Sequence, residues 1–283
     1  MAAFEMSQYA PYRSLGEYKN LRPDYFFEGR LAETWVADAI ARSLDGALGD
    51  TLAECGCGPG PLWDMLPAHV NILAVEPNRE LWRADPSPHV SYLEQDGFKF
   101  LDDHEGALDV IAWMWAINYP LLAFFEHYDP LAKTVQLRDW LSAHHQCLDK
   151  VVAIMERRAS SDWVVLFFDG ESVEQSFVTR VWEEVAPFPF RDRSHTRKIL
   201  EMAFQIQAFR TGSTLETTHL TGFAEYGELD QAVERMMHFH LRGNFVDQAW
   251  IREQVRTFLA PFQTSGQVRC PAGAYLYHYR TAR

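Results

Sequence analysis

Cysteine is scarce: the 283 residues include four, Cys55, Cys57, Cys147 and Cys270, and none forms a C-x-x-C pair. That density is far below a disulfide-stapled scaffold, so a reducing cytoplasm is the expected setting and thiolate metal sites are not. Basic charge is also thin. The chain has 26 Lys and Arg against 39 Asp and Glu, a formal charge of −13, and no basic run long enough to track phosphates, which makes nucleic acid a poor partner. A long apolar run is missing as well. The most apolar stretch, residues 110–125, is interrupted by Asn118 and Pro120 and is too short to span a bilayer. The opening MAAFEMSQYAPYR carries Glu5 and no apolar segment, so no secretory signal is expected. There is neither an internal repeat nor a low-complexity linker. Metal-ligand spacing is absent too, because His238 and His240 on a helix would point about 200° apart.

What is present is a globular composition, 47% hydrophobic with a high aromatic share of 14% that suggests ring-lined pockets or a lid. The length suits one α/β domain with covering insertions. Residues 1–45 are expected to form an amino-terminal arm and helix acting as a cover, 46–170 the ligand-binding core, and 171–283 the rest of the sheet with substrate-cap helices. The arm holds Tyr9, Tyr12 and Tyr18 and lacks a sustained period. From Asp24 to Leu44, apolar residues such as Leu31, Trp35, Ala39 and Ile40 recur at helical spacing until Gly46 and Gly49 end the pattern.

Five short apolar runs follow, over 51–54, 72–76, 90–93, 110–115 and 163–168. Runs with no wet face, alternating with helical stretches, read as parallel strands of a doubly wound sheet. Beyond them the pattern predicts helices at 171–186 and 195–209, a strand at 213–223, helices near 228–242 and 246–260, and a last strand at 274–280. Residues 120–160 and 224–262 are the candidates for cap material. The one dense basic cluster, Arg191, Arg193, Arg197 and Lys198, reads either as a solvated helix start capped by Ser194 or as a site for a ligand carboxylate.

The strongest local signal is Thr51-Leu-Ala-Glu-Cys-Gly-Cys-Gly-Pro-Gly60, a strand ending on Glu54 and then a Gly-x-Gly-x-Gly loop expected to open a helix at Pro61. Gly56, Gly58 and Gly60 would bare the backbone to a ligand at the carboxyl end of the first strand. By itself the loop fits S-adenosylmethionine (SAM), a nicotinamide or flavin cofactor, or a structural turn. Pro61 breaks the G-x-G-x-x-G/A spacing of a dinucleotide loop. Glu76 ends the second strand, before Pro77, where a ribose would present its hydroxyls. After the third strand, Asp96 and Gly97 precede Phe98, so that the carboxylate could accept from an adenine amino group while the ring packs on the base; a helix-capping Asp is the plain alternative. The fourth strand carries Trp115, Asn118 and Tyr119 to the same sheet edge, where ligands collect in open α/β folds.

As an ordered set over about residues 30 to 170, these motifs resemble the class I SAM-dependent methyltransferase family: E-x-G-x-G-x-G, an acidic end to strand two, D-G-F after strand three and D-V-I-A-W-M-W as strand four. The resemblance implies a Rossmann-like seven-stranded sheet with the last strand antiparallel, and SAM as cosubstrate without a metal. It also implies a small-molecule acceptor, with specialised metabolism the expected setting; a homodimer is compatible with it. The N-P-P-Y or D-P-P-Y string of enzymes that methylate nucleobase amino groups is absent, so Asn118-Tyr119-Pro120 is not equated with it.

Three readings follow. One is methyl transfer. A second is attack on the amino-acid arm of SAM, including its closure to a four-membered ring, releasing methylthioadenosine. The third is a non-catalytic subunit. Trp113, Trp115, Tyr119 and the arm tyrosines could face a sulfonium, or simply pack. Tyr119 and His195 are the candidate catalytic groups, with His219 a further histidine to consider, and a soft carbon acceptor would need no base.

Overall fold

The computed structural model describes residues 13–44, 50–129, 134–185, 194–241 and 248–282. Tyr9, Tyr12, Gly46, Gly49, Arg191 and Arg193, named above, lie outside the described residues. The arm contributes a short helix, α1 (Leu15–Leu21), whose N-cap Ser14 accepts from Glu17 N. Next, the expected helix over 24–44 is corrected. Asp24–Phe27 is a strand, β1, which turns through Glu28 and Gly29 at positive φ into the two-residue β2 (Arg30–Leu31); the helix, α2, is only Ala32–Ser43. The reason lies in period two. Tyr25 and Phe27 are fully buried while their neighbours are not, and β1 finds a sheet edge to pair with.

The five apolar runs are strands, as expected. They are β3 (Thr51–Cys55), β4 (Asn71–Val75), β5 (Val90–Leu93), β6 (Val110–Met114) and, after a small hairpin of β7 (Glu126–Asp129) and β8 (Thr134–Leu137), β9 (Asp162–Phe168). Between them lie α3 (Gly97–Asp103), α4 (Asn118–Leu122) and α5 (Trp140–Arg157). The rest of the chain runs α6 (Val173–Val185), α7 (His195–Thr211), β10 (Thr214–Gly227), α8 (Leu229–Phe239), α9 (Ala249–Leu259), β11 (Gln263–Thr264) and β12 (Gln267–Arg280).

The sheet order is β2-β1-β10-β12-β9-β6-β3-β4-β5. Strands β3, β4, β5, β6 and β9 are parallel, and β12 runs antiparallel to both β9 and β10. Seven strands with an antiparallel last one are thus present as the resemblance implied. The short β1, β2 and β11 enlarge the sheet to ten.

Two connections differ from expectation. No helix opens at Pro61: the β3–β4 link has one 3₁₀ turn, Trp63–Met65, and the β4–β5 link another, Arg79–Leu81. Proline explains this. Pro67 holds Leu66 extended at ψ 154° and offers no N–H for another turn, while Pro86 and Pro88 interrupt the second link.

Residues 140–157 are likewise not cap. Helix α5 buries Ala143, Cys147, Val151, Ile154 and Met155 in the core on one sheet face, as the crossover between the parallel strands β6 and β9. On the other face, α8 and α9 bury Met236, Met237, Ile251 and Val255 in the same core as α2 and α6. Of the 224–262 stretch, it is the end of α8 that reaches the candidate site. No helix of the described residues is long and apolar enough to cross a membrane.

Candidate functional site

The glycine loop is left-handed at alternate residues, with φ +67° at Gly56, +54° at Gly58 and +65° at Gly60. Side chains are strained there, so the Gly-x-Gly-x-Gly spacing is first of all a backbone requirement. A Cβ on Gly56 would lie 2.4 Å from Ala116 Cβ, and one on Gly60 1.9 Å from the Trp63 ring. These two glycines therefore serve the chain's own packing. At Gly58 the nearest neighbour is Tyr18 of α1, 3.7 Å from the position a Cβ would take, so the arm lies over the middle of the loop.

Three carboxyl groups line the loop and the strand ends beside it. Glu54 is 1% exposed and accepts a 2.5 Å hydrogen bond from Trp63 Nε1; burial pushes its carboxyl up to about 8. Arg83 lies over the Trp63 ring and donates to Gly60 O at 2.8 Å, clamping the end of the loop. Glu76 accepts from Gly58 N at 3.0 Å through one oxygen and from Asn78 N at 2.9 Å through the other. Its burial raises the carboxyl, and the two backbone donors pull it back. Pro77 turns the chain away at this point. Asp96 caps α3, with Oδ1 accepting from Lys99 N at 2.9 Å, and so the capping alternative is realised. Its Oδ2 is nevertheless buried with no partner. Gly97 is required because a Cβ would meet Trp113 at 2.3 Å, and Phe98 packs edge-on against the same indole.

The link after β6 joins this cradle to a second space. Trp115 sits at φ +63°, a strained conformation for a bulky residue that costs on the order of 1–3 kcal/mol, and it stacks on Phe168 at 4.1 Å. Ala116 abuts Gly56, while Asn118 and Tyr119 face a cavity of about 100 Å³. Thr196 donates to Asn118 Oδ1 at 2.9 Å and ties α7 to that wall. Phe168, Gln175, Trp182, Arg197 and His240 line the same cavity.

Of the two candidate catalytic groups, Tyr119 lines the cavity. His195 does not: its ring is packed edge-on between Phe125 and Trp140. His219 is also off the lining, paired with Asp169 at 2.9 Å and stacked on Tyr275. From the basic cluster, Arg197 reaches the cavity; its Nη1 binds Glu201 and Tyr277, and its buried Nε has no partner. Among the described residues no group of three or more His, Cys, Asp and Glu could hold a metal ion.

Sequence reasoning missed the pair Glu174 and His240. Glu174 is fully buried and accepts from the hydroxyls of Tyr25, at 3.1 Å, and Tyr226, with His240 Nε2 at 3.3 Å. A signal existed. Phe177, Val178 and Val181 form the apolar stripe of α6, and Glu174 stands on it three, four and seven residues earlier, where a charge must have a buried partner.

No family model and no curated protein matches the chain. Solved structures do. The YcgJ protein of Bacillus subtilis is 9% identical, with 88% of this chain and 99% of that one covered at a TM-score of 0.50. The cyclopropane synthase MmaA2 from Mycobacterium tuberculosis is 14% identical, with 88% and 83% covered and a TM-score of 0.45. The mycolic acid cyclopropane synthase CmaA1 is 11% identical, with 98% and 100% covered at 0.48. Identities this low speak to fold alone. With its parallel core, its antiparallel β12 and its glycine loop after the first core strand, the chain has the Rossmann-like α/β fold on which class I SAM-dependent methyltransferases are built.

Proposed function

We propose that this chain is a SAM-dependent transferase that moves the methyl group to a small molecule, an activity suited to specialised metabolism. The observation that carries the reading is the alignment of Glu54, Glu76 and Asp96 around a left-handed glycine loop, with Glu76 bonded to the loop's middle glycine. The residues fit the cosubstrate. Glu76 has lone pairs left for ribose hydroxyls, the unpartnered Asp96 Oδ2 suits the adenine amino group, and Phe98 packs beside it. Glu54, Pro77 and Gly97 shape the same cradle, and Trp115 and Asn118 close it toward the cavity.

When bound, SAM would supply an electrophilic carbon beside a sulfonium. The chain's own task is then to align a nucleophile and exclude water, for which the buried aromatic wall of Tyr25, Trp115 and Phe168 is suited. Arg197, whose side chain lines the cavity, would supply the cation for an anionic acceptor. Four buried free cysteines fit a cytoplasmic setting.

The same cradle would also serve a second reading, attack within SAM itself on the carbon of its amino-acid arm. One experiment separates the two: incubate the pure protein with SAM alone and then with the small-molecule fraction of a cell extract, and identify the nucleoside. S-adenosylhomocysteine is expected for methyl transfer and methylthioadenosine for the arm. Absence of SAM binding by calorimetry would sink both and leave the non-catalytic subunit.

A further inference from the structure

Around His240 the hydrogen bonds form a directional network beside the cavity. Gln175 Nε2 donates to Glu174 Oε2 at 3.3 Å, and that bond dictates the orientation of the amide, since its oxygen would face a carboxylate. The same NH₂ meets His240 Nδ1 at 3.4 Å, so Nδ1 is the lone-pair nitrogen and the ring proton sits on Nε2. Nε2 faces Glu174 Oε1 at 3.3 Å and the hydroxyls of Tyr25 and Tyr226, each at 3.1 Å. Both hydroxyls donate to Glu174 and keep oxygen lone pairs for the Nε2 proton, so the two tyrosines link the ring to the carboxylate. Phe168 and Phe239 pack against the ring, and Trp182 donates to the His240 carbonyl at 3.1 Å, fixing the end of α8. His240 and Gln175 both belong to the cavity wall that Tyr119 and Asn118 also form.

We propose that His240 is the base that takes a proton from the nucleophile in this cavity, with Glu174 as its positioning residue, so that the substrate class is one whose attacking atom carries an acidic hydrogen, a hydroxyl or an amine N–H. This deepens the transferase reading and rests on it. In the step, the nucleophile takes the place of the Gln175 NH₂ at Nδ1, its X–H bond breaks and the proton goes to Nδ1. The electron pair on X forms the new bond to the electrophilic carbon, whose bond to sulfur breaks with its pair left on the neutral thioether. The imidazolium is balanced by the Glu174 carboxylate on its far side. The assignment holds for methyl transfer and for closure of the amino-acid arm, where X is the amino nitrogen. Carbon nucleophiles without an acidic hydrogen are excluded by it.

The first test needs no turnover. In protein labelled with ¹⁵N-histidine and free of SAM, the His240 ring, assigned through its contacts with Phe168 and Phe239, should show a protonated Nε2 and a lone pair on Nδ1; Glu174→Gln should weaken that preference. A proton on Nδ1 in the wild type overturns the proposal. The second test uses the turnover found with SAM. His240→Asn should keep SAM affinity and lower turnover by about 10²- to 10⁴-fold with little change in KM, and added imidazole should restore part of the rate of His240→Ala. Undiminished turnover in a His240→Asn protein that still binds SAM overturns the proposal, and failure of either variant to fold leaves the spectrum of the wild type to decide. If the wild type fails to bind SAM, the transferase reading falls instead, and the proposal with it.

Discussion

Glu54 is a carboxyl group cut off from water with one indole as partner, and its protonation belongs to the stability of the fold. Its folded value of about 8 lies above the ordinary 4.5, so the fold favours the protonated form. The group therefore costs nothing at low pH and destabilises progressively as pH rises from about 4.5 through about 8. Glu54→Gln, which keeps an acceptor for Trp63, should flatten that dependence. Urea midpoints of wild type and variant compared at pH 5 and pH 8 check this, and a wild-type midpoint falling no more steeply than the variant's would refute it. Gly60→Ala is a second test at this scale. The new Cβ meets an indole held by Glu54 on one side and Arg83 on the other, at a left-handed φ, so a loss of about 2 kcal/mol or more is expected in urea unfolding. Gly56, Gly58 and Gly60 were legible as a motif, but the reason for each was not. Only the packed neighbours Ala116 and Trp63 distinguish a glycine that serves the backbone from one that faces a ligand.

Strand β1 shows how an element can be misread when two periods coincide. Leu31, Trp35 and Ala39 have helical spacing, and Tyr25 and Phe27 two-residue spacing; the second wins before residue 32 because β10 offers an unpaired edge. The consequence is functional, because β1 brings Tyr25 to Glu174 and Trp115. Phe27→Ala should therefore cost about 3–5 kcal/mol by removing a fully buried ring. The same measurement on an α5 residue such as Ile154 would give a comparable loss, since that helix is sheet cover and not a lid. Helix α1 is different. Its Tyr18 lies over Gly58 and also packs on the core, so Tyr18→Ala is expected to weaken SAM binding about tenfold, or roughly 1.4 kcal/mol, in addition to lowering the unfolding midpoint of the unliganded protein. Calorimetry with SAM reads the first and urea titration the second; unchanged affinity would show that α1 is no cover.

For the molecule as a whole, the proposed cradle makes stability depend on its ligand. At a SAM concentration of 100 times the Kd, the folded state should gain about 2.7 kcal/mol, visible as a raised urea midpoint, and adenosine derivatives lacking the 2′- and 3′-hydroxyls should give less because Glu76 loses its partners. Equal stabilisation by both would separate Glu76 from ribose recognition.

By itself the sequence determined the class of fold and the positions of its core strands along the chain, because apolar runs without a wet face, glycines at alternate positions and carboxylates closing successive strands are local patterns that survive in one dimension. The tertiary structure alone decided where β1 pairs, which glycines meet their own protein, and that Glu174 and His240 stand together. Those two residues lie far apart along the chain, on helices that each obey an ordinary amphipathic pattern, and burial beside two tyrosines is a property of the packed state that no spacing encodes.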